Sequence, residues 1–407
     1  MRNKISVGID IGTYQVKVVI AEETGNSPLP KIIGVGYAES KGLRHGYIIN
    51  QTDAIRSIRK AIRQAEKSSG HKVEKAFISV GGIGLSSYIS TGHIIISRAD
   101  SEVTDIDIDK VNDEAKRQIP NTVSMNRQTI HQIPIEYTLD GKQVFGDPVG
   151  MKGNKLEAKI MYINCLTHHV NELVSAVENS GIEIVDAVAS PLASGIVTLS
   201  RTERMAGCVM VNIGSETVSM VVYEEDVPIY LEVFKVGSNN ITEDIALGMQ
   251  VSLEEAERMK QDTKDWPNEI SKKNNKTPEG KLQGIIVDRL SNVFELVDVH
   301  LKKIDRSGLL PAGIILTGGG SGITNVEDLA KATLKLPSRI ATIANHRTSK
   351  NSSNDLKVKD ATWSVAYGLC VFGMTFEDDN VLNLRKSKTV IKNSFKFIIN
   401  WFKRFLP

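Results

Sequence analysis

Cysteine is scarce. Cys165, Cys208 and Cys370 are the only three in 407 residues, far apart and without a CxxC pair, which excludes a disulfide framework and a cysteine zinc site and suits a reducing cytoplasm. Aromatic residues make up just 5% of the chain. No apolar run reaches the roughly 20 residues that cross a bilayer, so any membrane contact expected here is peripheral. Charge of one sign is also lacking. The 50 basic and 48 acidic residues leave a net +2, too balanced for nucleic-acid binding by bulk electrostatics, and no nucleic-acid partner is expected. The opening Met1 to Lys4 leads into an apolar stretch that carries Asp10 and no small-residue cleavage site, unlike a signal peptide.

Hydrophobic residues at 41% and charged residues at 24% are the proportions of an ordinary globular protein, and the length exceeds what one core usually serves. Residues 5–11 and 16–21 read as Ile- and Val-rich strands joined by Gly12, Thr13, Tyr14 and Gln15. Apolar residues at helical spacing mark 53–69, and 76–80 follows as a strand. Between 86 and 166 the pattern changes, with a polar, acidic stretch over 99–109 before a short helix near 111–118, as in an inserted subdomain. A helix at 170–180, a strand at 183–187 and a helix at 192–199 precede a second strand pair, 209–213 and 218–223, around Gly214, Ser215, Glu216 and Thr217. Strand, polar turn, strand thus recurs about 200 residues on, as an internal duplication would give. Helices are expected at 253–263 and 282–303, with a surface loop over 265–280. A buried strand at 313–317 ends in Gly318, Gly319 and Gly320, with a helix from Asn325. The polar stretch 346–360 reads as mobile, 361–372 as the last helix of the body, and 376–389 as a tether.

A turn rich in small and hydroxyl residues exposes consecutive backbone N–H groups, and two such turns facing each other can hold a phosphate chain. Asp10 can reach Mg²⁺ through water, since that ion keeps most of its hydration and takes few carboxylates. Either hairpin alone is equally well a plain turn. The late glycine run, where missing side chains admit a planar base or sugar, makes a third part. In this order the three parts are similar to the nucleotide site of the actin and Hsp70 ATPases.

The resemblance narrows further. Gly8-Ile9-Asp10-Ile11-Gly12-Thr13, Pro148-Val149-Gly150-Met151 with Leu156-Glu157-Ala158-Lys159, and stretches within 240–246, 253–260, 316–320 and 366–373 resemble the FtsA family of bacterial cell-division proteins over nearly the whole chain. That resemblance implies an α/β, actin-like, duplicated (ribonuclease H-like) ATPase fold. Residues 1–86, 166–204 and 361–376 would form the first domain core and 87–165 the FtsA-type inserted subdomain. Residues 205–240 and 306–345 would form the second core, with 241–305 its outer subdomain, 377–389 a flexible tether and 390–407 a membrane-targeting helix.

It implies ATP and Mg²⁺ as cofactors. The candidate nucleotide contacts are Asp10 (also the metal residue), Gly12, Thr13, Tyr14, Lys17, Gly214, Ser215, Glu216, Thr217, Gly237, Gly318, Gly319 and Gly320, with Glu257 and Lys260, one turn apart on a helix, on the adenosine. Three departures bear on hydrolysis: Asn212 stands where the superfamily usually has Asp, Ser215 and Glu216 where FtsA-like chains have glycines, and Ser190 where chaperone-like ATPases position water with Glu. An amide or hydroxyl is a poor general base at pH 7, so ATP binding with at most slow hydrolysis is expected.

The C-terminal segment speaks without the family. At about 100° per residue, Ile391, Phe395, Ile398, Phe402 and Phe405 form one helical stripe with Trp401 at its margin, opposite Lys392, Lys396, Lys403 and Arg404, the distribution of a helix lying in an anionic lipid surface. By resemblance, the expected function is an actin-like polymer that tethers FtsZ filaments to the cytoplasmic side of the membrane at the division site. It would bind the FtsZ C-terminal tail at Arg289 and Lys281 and other division proteins through the inserted subdomain. Two alternatives stay open: a PilM-like type IV pilus scaffold at the inner membrane, and an actin-superfamily small-molecule kinase.

Overall fold

The computed structural model describes residues 4–25, 29–262, 277–343 and 360–380, with side chains as far as 375. In chain order, β1 (Ile5–Ile11), β2 (Gln15–Glu22) and β3 (Lys31–Glu39) are followed by the short β4 (Leu43–Arg44) and β5 (Tyr47–Ile48), then α1 (Gln51–Ser69) and β6 (Lys75–Val80). An insertion follows: β7 (Ser86–Ile95), α2 (Asp105–Arg117), α3 (Asn121–Ser124), β8 (Arg127–Leu139), β9 (Lys142–Val144) and β10 (Lys155–Leu166). Next come α4 (Thr167–Asn179), β11 (Glu183–Ala189), α5 (Ser190–Thr198) and α6 (Arg201–Ala206). The second half holds β12 (Cys208–Ile213), β13 (Val218–Glu224), β14 (Val227–Phe234), α7 (Ser238–Met249), α8 (Leu253–Gln261), α9 (Pro278–Lys303), β15 (Gly313–Thr317), α10 (Val326–Leu334), β16 (Ser338–Ile340) and α11 (Ser364–Asn380).

The two halves repeat one sheet plan, as the duplicated hairpins led us to expect. In the first, β1 pairs antiparallel with β2 and parallel with β6, β2 pairs antiparallel with β3, and β11 lies parallel beyond β6. In the second, β12 takes the place of β1, with β13, β14, β15 and β16 in the same senses. Strand orders β11-β6-β1-β2-β3 and β16-β15-β12-β13-β14 are therefore superimposable, the mark of a duplicated actin-like fold. The insertion adds β7-β10-β8-β9 to the second sheet, joined by the single pair Glu232 opposite Ser86. It has its own core around Val103, Val111, Leu156, Ile160 and Tyr162.

Helix α11 lies in the first half, against β1 and α5. It packs that closely because Gly8 has no side chain: a Cβ there would stand 2.2 Å from the carbonyl oxygen of Ala366. The same stretch is tied on both sides, by Lys17 Nζ donating to the Thr362 carbonyl at 2.7 Å and by Lys4 Nζ on the Met374 carbonyl.

Some elements differ from expectation. The acidic residues Asp105 to Asp109, expected in a polar stretch, are the first turn of α2, where the side chain of Asp107 accepts hydrogen bonds from the Thr104 amide at 3.1 Å and hydroxyl at 2.7 Å; carboxylates favour a helix start. Residues 278–280, expected in a loop, begin α9, capped by Thr277, whose Oγ1 accepts from the Gly280 amide at 3.1 Å. The tether expected from 377 begins inside α11, whose backbone stays helical to Asn380. The rest of the tether and the whole membrane stripe, Ile391 to Arg404 and Phe405, lie outside the described residues, as do 346–359 and 263–276.

Candidate nucleotide site

The two hairpin turns line a common cavity of about 710 Å³ between the halves. Their backbones match: Gly12 N donates to Gln15 O at 3.2 Å and Gly214 N to Thr217 O at 2.9 Å, each turn closing over three residues. The second turn is braced from behind by the start of α7, where Ser238 N donates to Gly214 O at 2.9 Å and Asn239 N to Ser215 O at 2.8 Å.

Of the two hairpins, only the first turns charged groups toward the cavity. Sheet register sets Asp10 opposite Lys17 on the first hairpin, and Ser79 of β6 donates its hydroxyl to Asp10 Oδ1 at 2.9 Å. Burial pushes the Asp10 carboxyl above its ordinary range, with Lys17 and Ser79 pulling the other way; burial likewise lowers Lys17, against the attraction of Asp10 and Asp360. The same register on the second hairpin sets Asn212 opposite Ser219 and beside Thr317 of β15. The charged trio Asp10, Lys17, Ser79 thus has the neutral counterpart Asn212, Ser219, Thr317.

The far end of the cavity is made by α8 and the glycine run. Lys260 is buried, with Nζ 2.7 Å from Glu257 Oε2 and donating to Thr242 Oγ1 at 2.8 Å and the Ser238 carbonyl at 3.2 Å. Burial raises the Glu257 carboxyl, but hydrogen bonds from Lys260, Thr242 and Gln261 outweigh it and leave Glu257 below the usual range. Gly318 takes φ +86, and a Cβ on it would sit 2.2 Å from Asn212 Oδ1, whereas one on Gly319 would meet nothing. Gly320 is likewise pressed against Ile213, so the run is a bare backbone stretch that opens onto free space at Gly319, which fits a planar ligand.

Of the residues proposed from sequence, Asp10, Gly12, Thr13, Tyr14, Lys17, Gly214, Ser215, Thr217, Glu257, Lys260 and all three glycines of 318–320 line this cavity. Glu216 and Gly237 do not. Glu216 turns aside to accept from the His45 amide at 2.5 Å, and Gly237 caps α7 behind the second turn. Arg289 and Lys281 lie away from it on α9, with Arg289 forked onto Asp244 at 2.5 and 2.8 Å. Sequence reasoning missed Ser79, Gly46, Gly81, Gly82, Ser238, Asn239 and Thr362, which also line the cavity. The Gly81-Gly82 pair after a strand was the one local signal for them. Among the described residues no three His, Cys, Asp or Glu side chains gather closely enough to hold a metal by themselves, and no helix is long and apolar enough to cross a membrane.

Comparison with known proteins supplies the lineage. A family model described as cell division protein FtsA matches residues 209–368, and one for the SHS2 domain inserted in FTSA matches 82–164. Cell division protein FtsA of Bacillus subtilis (strain 168) is 30% identical over 383 residues, 91% of this chain and 83% of that protein. The Pseudomonas aeruginosa protein of the same name is 27% identical over 391 residues, 93% of this chain and 91% of its own length. Among solved structures, the PilM-PilN type IV pilus biogenesis complex superposes at TM-score 0.65 with 17% identity, covering 90% of this chain and 98% of that one. MreB 5 of Spiroplasma citri bound to AMPPNP does so at 0.54 with 12% identity, covering 94% and 99%. At such identities the superpositions speak for the fold alone, and the fold is actin-like.

Proposed function

The chain belongs to the FtsA family of cell division proteins, and from that premise we propose that it is an ATP-controlled polymer that tethers FtsZ filaments to the cytoplasmic face of the membrane at the division site. One observation carries the nucleotide part: two turns of matching backbone form line one cavity whose far end includes a bare glycine run. The turn amides would take the phosphates, Asp10 a hydrated Mg²⁺ shared with them, and Glu257, Lys260 and the run 318–320 the adenosine. When bound, the metal supplies charge neutralisation on the phosphates. Among the described residues, Asp10 and Glu257 are the carboxylates lining the cavity; the first accepts from Ser79 and the second is held by Lys260 and Thr242. In this reading Asp10 is committed to the metal and Glu257 to Lys260 and Thr242, which favours slow hydrolysis over a kinase reaction.

For the FtsZ tail, Arg289 would exchange the carboxylate of Asp244 for one of an acidic peptide, with the exposed Lys281 adding attraction. Arg289→Glu should weaken an FtsZ tail peptide at least about tenfold, the loss of one charge-assisted contact; unchanged affinity in a peptide titration moves the contact elsewhere.

The whole reading is tested on anionic vesicles. With ATP, the full chain should carry purified FtsZ into the pellet, and deletion of 391–407, outside the described residues, should abolish this while leaving ATP binding intact. Equal sedimentation of full and truncated chains at matched salt sinks the tether.

A further inference from the structure

Glu216 sits at the tip of the second turn, yet its carboxylate faces away from the cavity and across to the first half of the molecule. There it accepts from the amide of His45 at 2.5 Å. The His45 ring adds Nδ1 at 3.4 Å from the Glu216 carbonyl and 3.7 Å from its carboxylate. The next amide of the same β4–β5 turn, that of Gly46, donates to Thr13 Oγ1 of the first hairpin at 3.1 Å. His45 and Gly46 both have positive φ, +50 and +83, a form that points successive N–H groups out of a turn. One short turn therefore links the tips of both hairpins at the phosphate end of the cavity.

We propose that Glu216 is a clasp: by holding the His45 amide it ties the second phosphate turn to the first lobe, and nucleotide enters or leaves only when that contact opens. This rests on the nucleotide reading of the cavity given above. A carboxylate on a backbone amide is a charge-assisted bond, stronger than a neutral one, and both side chains are largely shielded from water, at 23% and 24% exposure. The clasp acts on rates. Breaking it speeds entry and exit together, so affinity moves less than either rate.

The test compares Glu216→Gly, Glu216→Gln and His45→Ala in the full chain, by stopped-flow with a fluorescent ATP analogue and by hydrogen exchange of the nucleotide-free protein over residues 41–49. Glu216→Gly should release nucleotide about tenfold faster and raise exchange in 41–49, although the substitution lies on the other lobe. Glu216→Gln, whose amide oxygen still accepts, should recover most of the slow release, and His45→Ala, which keeps its amide, should stay close to wild type. Wild-type release and wild-type exchange at 41–49 in Glu216→Gly overturn the clasp, as does increased exchange confined to 212–218. Failure of the wild type to bind any ATP overturns the nucleotide reading and the clasp with it, and is told apart from failure of the clasp alone because in that case the wild type still binds.

Discussion

The two hairpins are copies in backbone and opposites in chemistry. Each closes its turn by the same glycine amide to the carbonyl three residues on, in sheets of the same order. Where the first has Asp10, Lys17 and Ser79, the second has Asn212, Ser219 and Thr317. The first turn keeps its ionic groups toward the cavity, and the second spends its one carboxylate, Glu216, on the opposite lobe. Duplication fixes where amides point; on the proposed reading, side chains then divide the labour, with cation binding on one copy and adhesion on the other.

The sharpest way to break this comparison is to make the same change on both sides. Asp10→Ala should lower Mg²⁺-dependent ATP affinity by about 100-fold or more, as loss of a hydrogen-bonded charge implies, while Asn212→Ala should lose about tenfold at most; calorimetric titration reads both, and equal losses would erase the division. A smaller effect comes from making the copies alike. Asn212→Asp places a carboxylate where the second hairpin lacks one toward the cavity, and steady-state phosphate release should rise about tenfold, less than the roughly 100-fold or more that a fully positioned base supplies.

The smallest effect is on stability. Burial raises the Asp10 carboxyl, so ionising it opposes folding. Its contribution is full below the ordinary carboxylate pKa and is lost as pH rises through the raised folded value. Asp10→Asn should therefore raise the Tm of the nucleotide-free protein at pH 7 by about 1–2 °C, even as it removes magnesium-dependent binding. A drop in Tm would mean that the attraction to Lys17 outweighs burial.

The parts visible in the sequence were those encoded locally. Both hairpins and the run 318–320 announced themselves through turn chemistry next to apolar strands. β3 did not, because Gly34 and Gly36 interrupt its apolar pattern, and the reason lies across the fold: a Cβ on Gly36 would stand 2.1 Å from the Ala61 carbonyl of α1. α7 was missed because it opens on Ser238, Asn239 and Asn240, residues that favour turns until a neighbouring turn accepts the amides of the first two. Ser79 reaches Asp10 from 69 residues away, and no spacing rule reports such a pairing. Glu216 read as a phosphate contact since nothing near it in sequence points to His45.

The seating of α11 has a mechanical consequence. The helix is fitted against the bare backbone of Gly8, two residues before Asp10, with Lys4 bonded to its Met374 carbonyl and Lys17 to Thr362 just ahead of it. Tension applied to the chain beyond Asn380 is thus passed to the strand under the first turn, through that packing and the lysine bonds. On the proposed reading, the anchor and the cation site of this molecule would hang from the same beam.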